Sequence, residues 1–73
     1  MRLRPLPPEN VIRALEKAGF VRVRQKGSHV FMRHPNGRTT IVPYHKKENI
    51  GRGLLRKIIN DAQMTVEEFM KLI

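Results

Sequence analysis

Residues 29–43 read HVFMRHPNGRTTIVP. Two short runs with β-branched and aromatic residues flank Pro35-Asn36-Gly37. Proline presets φ for a turn, and Asn-Gly supplies the positive φ that tight hairpins use. HVFMRH is therefore expected to form one strand and RTTIVP the next. Pro43 ends the second of these, because it cannot donate to a ladder. An antiparallel hairpin in the middle of so short a chain leaves few folds open. Whatever flanks it has to cover one of its faces.

The segment before it, FVRVRQK, alternates, with Val21, Val23 and Gln25 on one side and Phe20, Arg22 and Arg24 on the other. It is expected to form a further strand, joined to the hairpin by a Gly27-Ser28 turn. From Glu9 the apolar period becomes helical, through Val11, Ala14, Leu15 and Ala18, and Gly19 is a fitting residue to close that helix. After a loop, YHKKENIGRG, the run LLRKIINDA sets Leu54, Leu55, Ile58, Ile59 and Ala62 on one stripe. Thr65 followed by Glu68 makes a capping box for a short last helix with Val66, Phe69, Met70 and Ile73 at helical spacing. The order predicts an α+β fold: a three-stranded antiparallel sheet with helices on one face and the other face wet. On strand two, His29, Phe31 and Arg33 oppose Val30, Met32 and His34. Both sets mix apolar with polar residues, so the pattern does not decide which is buried.

Seventy-three residues are expected to form one domain over 1–73, with 1–8 as an irregular, proline-rich lead-in. There is no cysteine, which excludes disulfides and thiolate metal sites. The net charge is +9, and between Glu16 and Glu48 every charged residue is basic. That balance points to a polyanionic partner, nucleic acid first and a membrane surface second. No segment reaches the ~18 apolar residues of a membrane span. MRLRPLPPEN lacks the apolar run of a signal peptide. The expectation is a soluble cytoplasmic protein.

All three histidines, His29, His34 and His45, fall in the stretch 24–45, which has no carboxylate. No cysteine or neighbouring carboxylate completes a ligand set, and the surrounding cations repel a divalent ion, so no metal or other cofactor is expected. Gly51-Arg52-Gly53 is too short for a phosphate-cradling loop. Metal-free chemistry on RNA remains, beside the plainer reading of His29 as a surface or satisfied histidine next to a turn. RNA carries its own nucleophile, the 2′-OH. Its cleavage needs a base, cations for the charge that grows on phosphorus, and an acid for the leaving oxygen. Histidine with Lys and Arg supplies those parts. Arg24 and Lys26 flank His29 and are the candidate phosphate ligands, joined by Lys46 and Lys47. Gly27 either admits a phosphate to the backbone or serves the turn alone. Ser28 either hydrogen-bonds phosphate or His29, or is a turn residue. His45 is a candidate second catalytic residue if strands two and three pair in regular register. His34 reads as a surface residue, Phe31 and Met32 as packing, and Tyr44 as either a base-stacking group or a cap on the core edge. One Tyr and no Trp predict loose sequence preference.

Residues 9–73 resemble the HicA toxins of HicA–HicB toxin–antitoxin systems, also called the YcfA-like family. The resemblance rests on Gly19-Phe20, on QKGSHVFMRHPNGR over 25–38, on VPYH over 42–45, and on the second helix leading to TVEEFMKL. It implies a double-stranded-RNA-binding-like α-β-β-β-α fold, here with a short extra C-terminal helix. It also implies ribosome-independent endoribonuclease activity on mRNA and a cognate HicB-like antitoxin that masks the active site. The catalytic histidine it implies is the one in Gly-Ser-His, His29. The family often closes its second helix with glycine, where this chain has Gln63. The alternative reading is a non-catalytic nucleic-acid-binding domain of the same fold.

Overall fold

The computed structural model describes residues 2–73, in the order α1 (Pro8–Lys17), β1 (Val21–Lys26), β2 (His29–Arg33), β3 (Thr39–Pro43), α2 (Arg52–Asp61) and α3 (Val66–Met70). The strands form one antiparallel sheet in the order β1-β2-β3. This is the expected α+β architecture, with the α-β-β-β-α order of double-stranded-RNA-binding domains and one added helix.

Each helix is delimited by a sequence signal. Pro8 opens α1, where its missing N–H costs nothing. Gly19, at φ 105°, closes it: Gly19 donates to the Glu16 carbonyl and Phe20 to that of Leu15. α2 ends in the same motif, with Gln63 and Met64 donating to the Asn60 and Ile59 carbonyls. Gln63 therefore carries the left-handed backbone, at φ 57°. The α3 capping box is complete in both directions. The Thr65 N–H holds the Glu68 carboxyl below the usual carboxylate range, helped by the Thr65 side chain.

The hairpin pairs in regular register, Arg33 with Thr39, Phe31 with Ile41 and His29 with Pro43. Its turn is a three-residue loop in which Gly37, at φ 98°, donates to the His34 carbonyl. Asn36 keeps a negative φ and contributes through its side chain, which accepts from the Arg38 backbone N–H and from Nε.

Burial resolves the face that the alternation left open. Val30, Met32, Thr40 and Val42 are buried against the helices. His29, Phe31, Arg33 and Ile41 lie on the open face, so Phe31 is only half-buried and is not a core residue. The core also takes Val11, Ile12, Leu15, Phe20, Leu55, Ile58, Ile59 and Phe69.

Three expectations need correction, and a fourth, the lead-in, gains a contact the sequence did not show. First, β1 does not alternate evenly. Its register slips between Arg22 and Arg24, leaving Val23 as the extra residue of a bulge. Arg22 pairs with Met32 on the helix side, whereas Arg24 pairs with Phe31 on the open side. Second, the lead-in is pinned. Leu3 and Leu6 are buried, and Leu6 exchanges two backbone hydrogen bonds with Ile50, at 3.1 and 2.7 Å. Burial of two leucines outweighs the irregularity that the prolines impose. Third, Leu54 leaves the apolar stripe of α2 and is 41% exposed. Fourth, His34 is half-buried. Its ring meets Phe20 edge-on at 5.3 Å, and its Nδ1 accepts from the Asn36 N–H.

Gly19→Ala is expected to destabilise the chain by about 1–2 kcal/mol for the left-handed backbone alone. A Cβ at that position would also stand 2.8 Å from His34 Nε2. Gln63→Gly, which removes a similar backbone cost, is expected to gain about 1 kcal/mol. Denaturant midpoints at unchanged slope measure both.

Candidate active site

The bulge at Val23 decides what surrounds His29. In an unbroken alternation, Arg22, Arg24 and Lys26 would share one side. The extra residue sends Arg22 toward α1, where Nε lies 3.7 Å from the Glu16 carboxylate. It returns Arg24 and Lys26 to the open face. Lys26 pairs directly with His29, and paired residues project to the same side. The Arg24 guanidinium stacks over the Phe31 ring at 4.7 Å. Phe31 thus serves as a platform that holds a cation on the histidine's face.

The turn between β1 and β2 is Gly27-Ser28. Gly27 has φ 58°, and a Cβ there would meet nothing within 4 Å. The turn geometry favours the glycine, while the space above it stays open to a ligand. Ser28 is half-buried, and its carbonyl accepts from the Tyr44 N–H. That bond extends the β2–β3 register past Pro43 and sets the chain entering residues 44–51.

His29 and His45 line one depression together with Pro43, Glu48, Asn49 and Leu54. The regular register therefore brings the two histidines to one site, as the sequence required for any joint role. Both are exposed. Lys46 and Lys47 belong to a neighbouring depression, bounded by Pro7, Pro8, Glu9 and Tyr44. His45, Glu48 and Asn49 are common to both, so the two lysines stand beside the His29 depression rather than within it. His34 lies outside all of this, at the far end of β2, packed on Phe20.

Tyr44 resolves toward structure. Its hydroxyl donates to Glu9 Oε1, and that carboxylate raises the phenol above its ordinary value. The ring packs against the core. Among the described residues, no group of three or more His, Cys, Asp or Glu side chains is arranged to hold a metal ion.

Sequence reasoning missed Glu48, Asn49 and Leu54 as neighbours of His29. Glu48 was visible only as the end of the carboxylate-free stretch. Leu54 was assigned to the core stripe of α2, with which its spacing agrees.

No helix is long and apolar enough to cross a membrane among the described residues. No curated protein matches the chain in sequence. A family model described as the HicA toxin of bacterial toxin–antitoxin systems matches residues 8–64, from the first residue of α1 to just past the end of α2. The match spans the whole sheet, the Gly-Ser-His turn and the loop bearing His45. The chain belongs to the HicA toxin family.

Proposed function

We propose that this toxin acts as a ribosome-independent, metal-independent endoribonuclease on mRNA, with His29 as the general base. The observation that supports this most directly is the shared open face. His29 stands beside Lys26 and Arg24 and borders a depression also lined by His45. His29 takes the proton of the 2′-OH. The 2′ oxygen then bonds to phosphorus, and the bond from phosphorus to the 5′ oxygen breaks. A 2′,3′-cyclic phosphate and a 5′-hydroxyl result. Lys26 and Arg24 balance the charge that grows on the phosphoryl oxygens. We assign the proton returned to the 5′ oxygen to His45. Gly27 and Ser28 admit the phosphate to the turn. Lys46 and Lys47 hold the backbone next to the site. The natural inhibitor in this reading is a HicB-like antitoxin that covers His29 and the Lys26 side of the sheet, and the compartment is the cytoplasm, where mRNA is found.

One observation favours a second reading, a non-catalytic RNA-binding domain of the same fold. Among the described residues, no side-chain hydrogen bond orients the His29 ring. A histidine that only touches backbone phosphate needs no such bond.

His29→Ala separates the two readings. General bases contribute at least about 100-fold, so cleavage should fall by that factor or more. RNA affinity should change by no more than about 1 kcal/mol, the worth of one ordinary hydrogen bond. Cleavage at the wild-type rate by the folded variant would remove His29 as the base. Cleavage is also expected to persist in EDTA. Loss of activity in chelator, restored by a divalent ion, would overturn the metal-free mechanism. In cells, expression of the chain alone should arrest growth and fragment bulk mRNA, and co-expression of its antitoxin should prevent both. Normal growth with intact mRNA, in the presence of soluble folded protein and no antitoxin, would favour the binding-domain reading.

A further inference from the structure

Beyond the His29 site, a cluster of unpaired cations lies between the lead-in and α2. Arg2, Arg52 and Arg56 line one depression, with Leu3 and Gly53 as its remaining walls. All three arginines are exposed, and none has a carboxylate partner among the described residues. The first turn of α2 holds no acidic residue. Arg52 occupies its first position, where the helix dipole makes a cation least welcome. Like charges gathered there act against stability, which calls for a ligand that offsets the cost.

The position of this cluster indicates the ligand. Ile50, Gly51 and Leu54 border the His29 depression, and Arg52 and Gly53 border the arginine depression. The two sites therefore meet along residues 50–54. The exposed Leu54 side chain lies on that boundary and offers apolar surface to a ribose or base. A polymer with one phosphate at His29 has further phosphates to place, and this ridge leads them to three guanidinium groups. Guanidinium forks match phosphate oxygens bidentately. An acidic protein would meet the same charges, but nothing in its chemistry calls for continuity with His29.

We propose that Arg2, Arg52 and Arg56 form a second phosphate-binding station, which takes the backbone of single-stranded RNA as it leaves the His29 depression. This rests on the ribonuclease reading above and adds a substrate path to it.

The test is equilibrium binding of a single-stranded RNA carrying 2′-O-methyl groups throughout, which cannot be cleaved, measured by fluorescence anisotropy across a salt series. Wild type is compared with the triple variant Arg2→Gln, Arg52→Gln, Arg56→Gln, with Arg56→Gln alone, and with Lys57→Gln. Lys57 pairs with Asp61 and lines neither depression. Thermal melts confirm that each variant folds. Three lost phosphate contacts should make the slope of log K against log salt shallower by about 2 for the triple variant, and by about 0.7 for Arg56→Gln. The Lys57→Gln slope should match wild type. A wild-type slope in the folded triple variant would overturn this proposal and leave the ribonuclease reading standing. The same slope with loss of antitoxin binding would assign the arginines to the protein partner, which also overturns it. Failure of the wild-type chain itself to bind RNA would overturn both readings.

Discussion

The register of the β2–β3 hairpin is the constraint on which the rest depends. Side chains alternate across a strand, so a slip of one residue would bury His29 and expose Val30. The turn prevents that slip. His34 donates to the Arg38 carbonyl at 2.8 Å, Gly37 donates to His34, and Asn36 both donates to the His34 ring and accepts from Arg38. The tip is then tied to the helical layer. Arg38 Nη1 donates to the Ala62 carbonyl at the end of α2, at 2.8 Å, and its guanidinium lies 5.3 Å from the centre of the Phe20 ring. His34 packs on the same ring. The residues that fix the hairpin at one end thus aim His29 at the other.

Charge is partitioned as sharply as the faces. Four of the six carboxylates are engaged in structural contacts: Glu9 with Tyr44, Glu16 with Arg22, Asp61 with Lys57 and Glu68 with the α3 cap. Arg22 and Lys57 are the basic side chains thereby neutralised. Arg24, Lys26, Arg2, Arg52 and Arg56 have no carboxylate partner among the described residues. Five of the acids sit on the helices and Glu48 borders the His29 depression, while the arginines at the α2 entrance and Arg24 and Lys26 on the open face stay unpaired among the described residues. A surface of that kind favours fast association with polyanions and is sensitive to salt.

Where the sequence was readable, the signals were local. The Pro-Asn-Gly turn, the closing Gly19, the Thr65–Glu68 box and the apolar period of α1 each declare themselves within a few residues, and each stands where the pattern set it. The misreadings share a different origin. A bulge is one inserted residue whose composition looks like strand, so VRVRQ could not announce that Arg22 and Arg24 part company. The lead-in gave no sign that Leu6 docks, because its partner, Ile50, is far along the chain. His34 was taken for a surface residue because nothing near it in sequence reveals Phe20. At the site, His29, Arg24 and Lys26 were legible as a cationic cluster around a turn. The shared depression with His45 followed only from the register, and Glu48 and Leu54 followed from neither.

The His29 site is assembled from three stretches: the turn into β2, the exit of β3, and residues 48–54. The first two are joined by sheet hydrogen bonds. The third has no strand partner except the Leu6–Ile50 bridge, which is made by the lead-in. Within that stretch the Glu48 N–H also donates to the His45 carbonyl, and Leu54 is carried by α2, which is anchored through Leu55, Ile58 and Ile59. The lead-in supplies Arg2 and Leu3 to the depression that Arg52 and Arg56 also line. The proline-rich lead-in is therefore one of the elements that border the site. Its two buried leucines hold both the wall of the His29 depression and one side of the arginine depression. Pro5, Pro7 and Pro8 lower the entropy that this segment loses on docking, because their φ angles are already restricted in the unfolded chain.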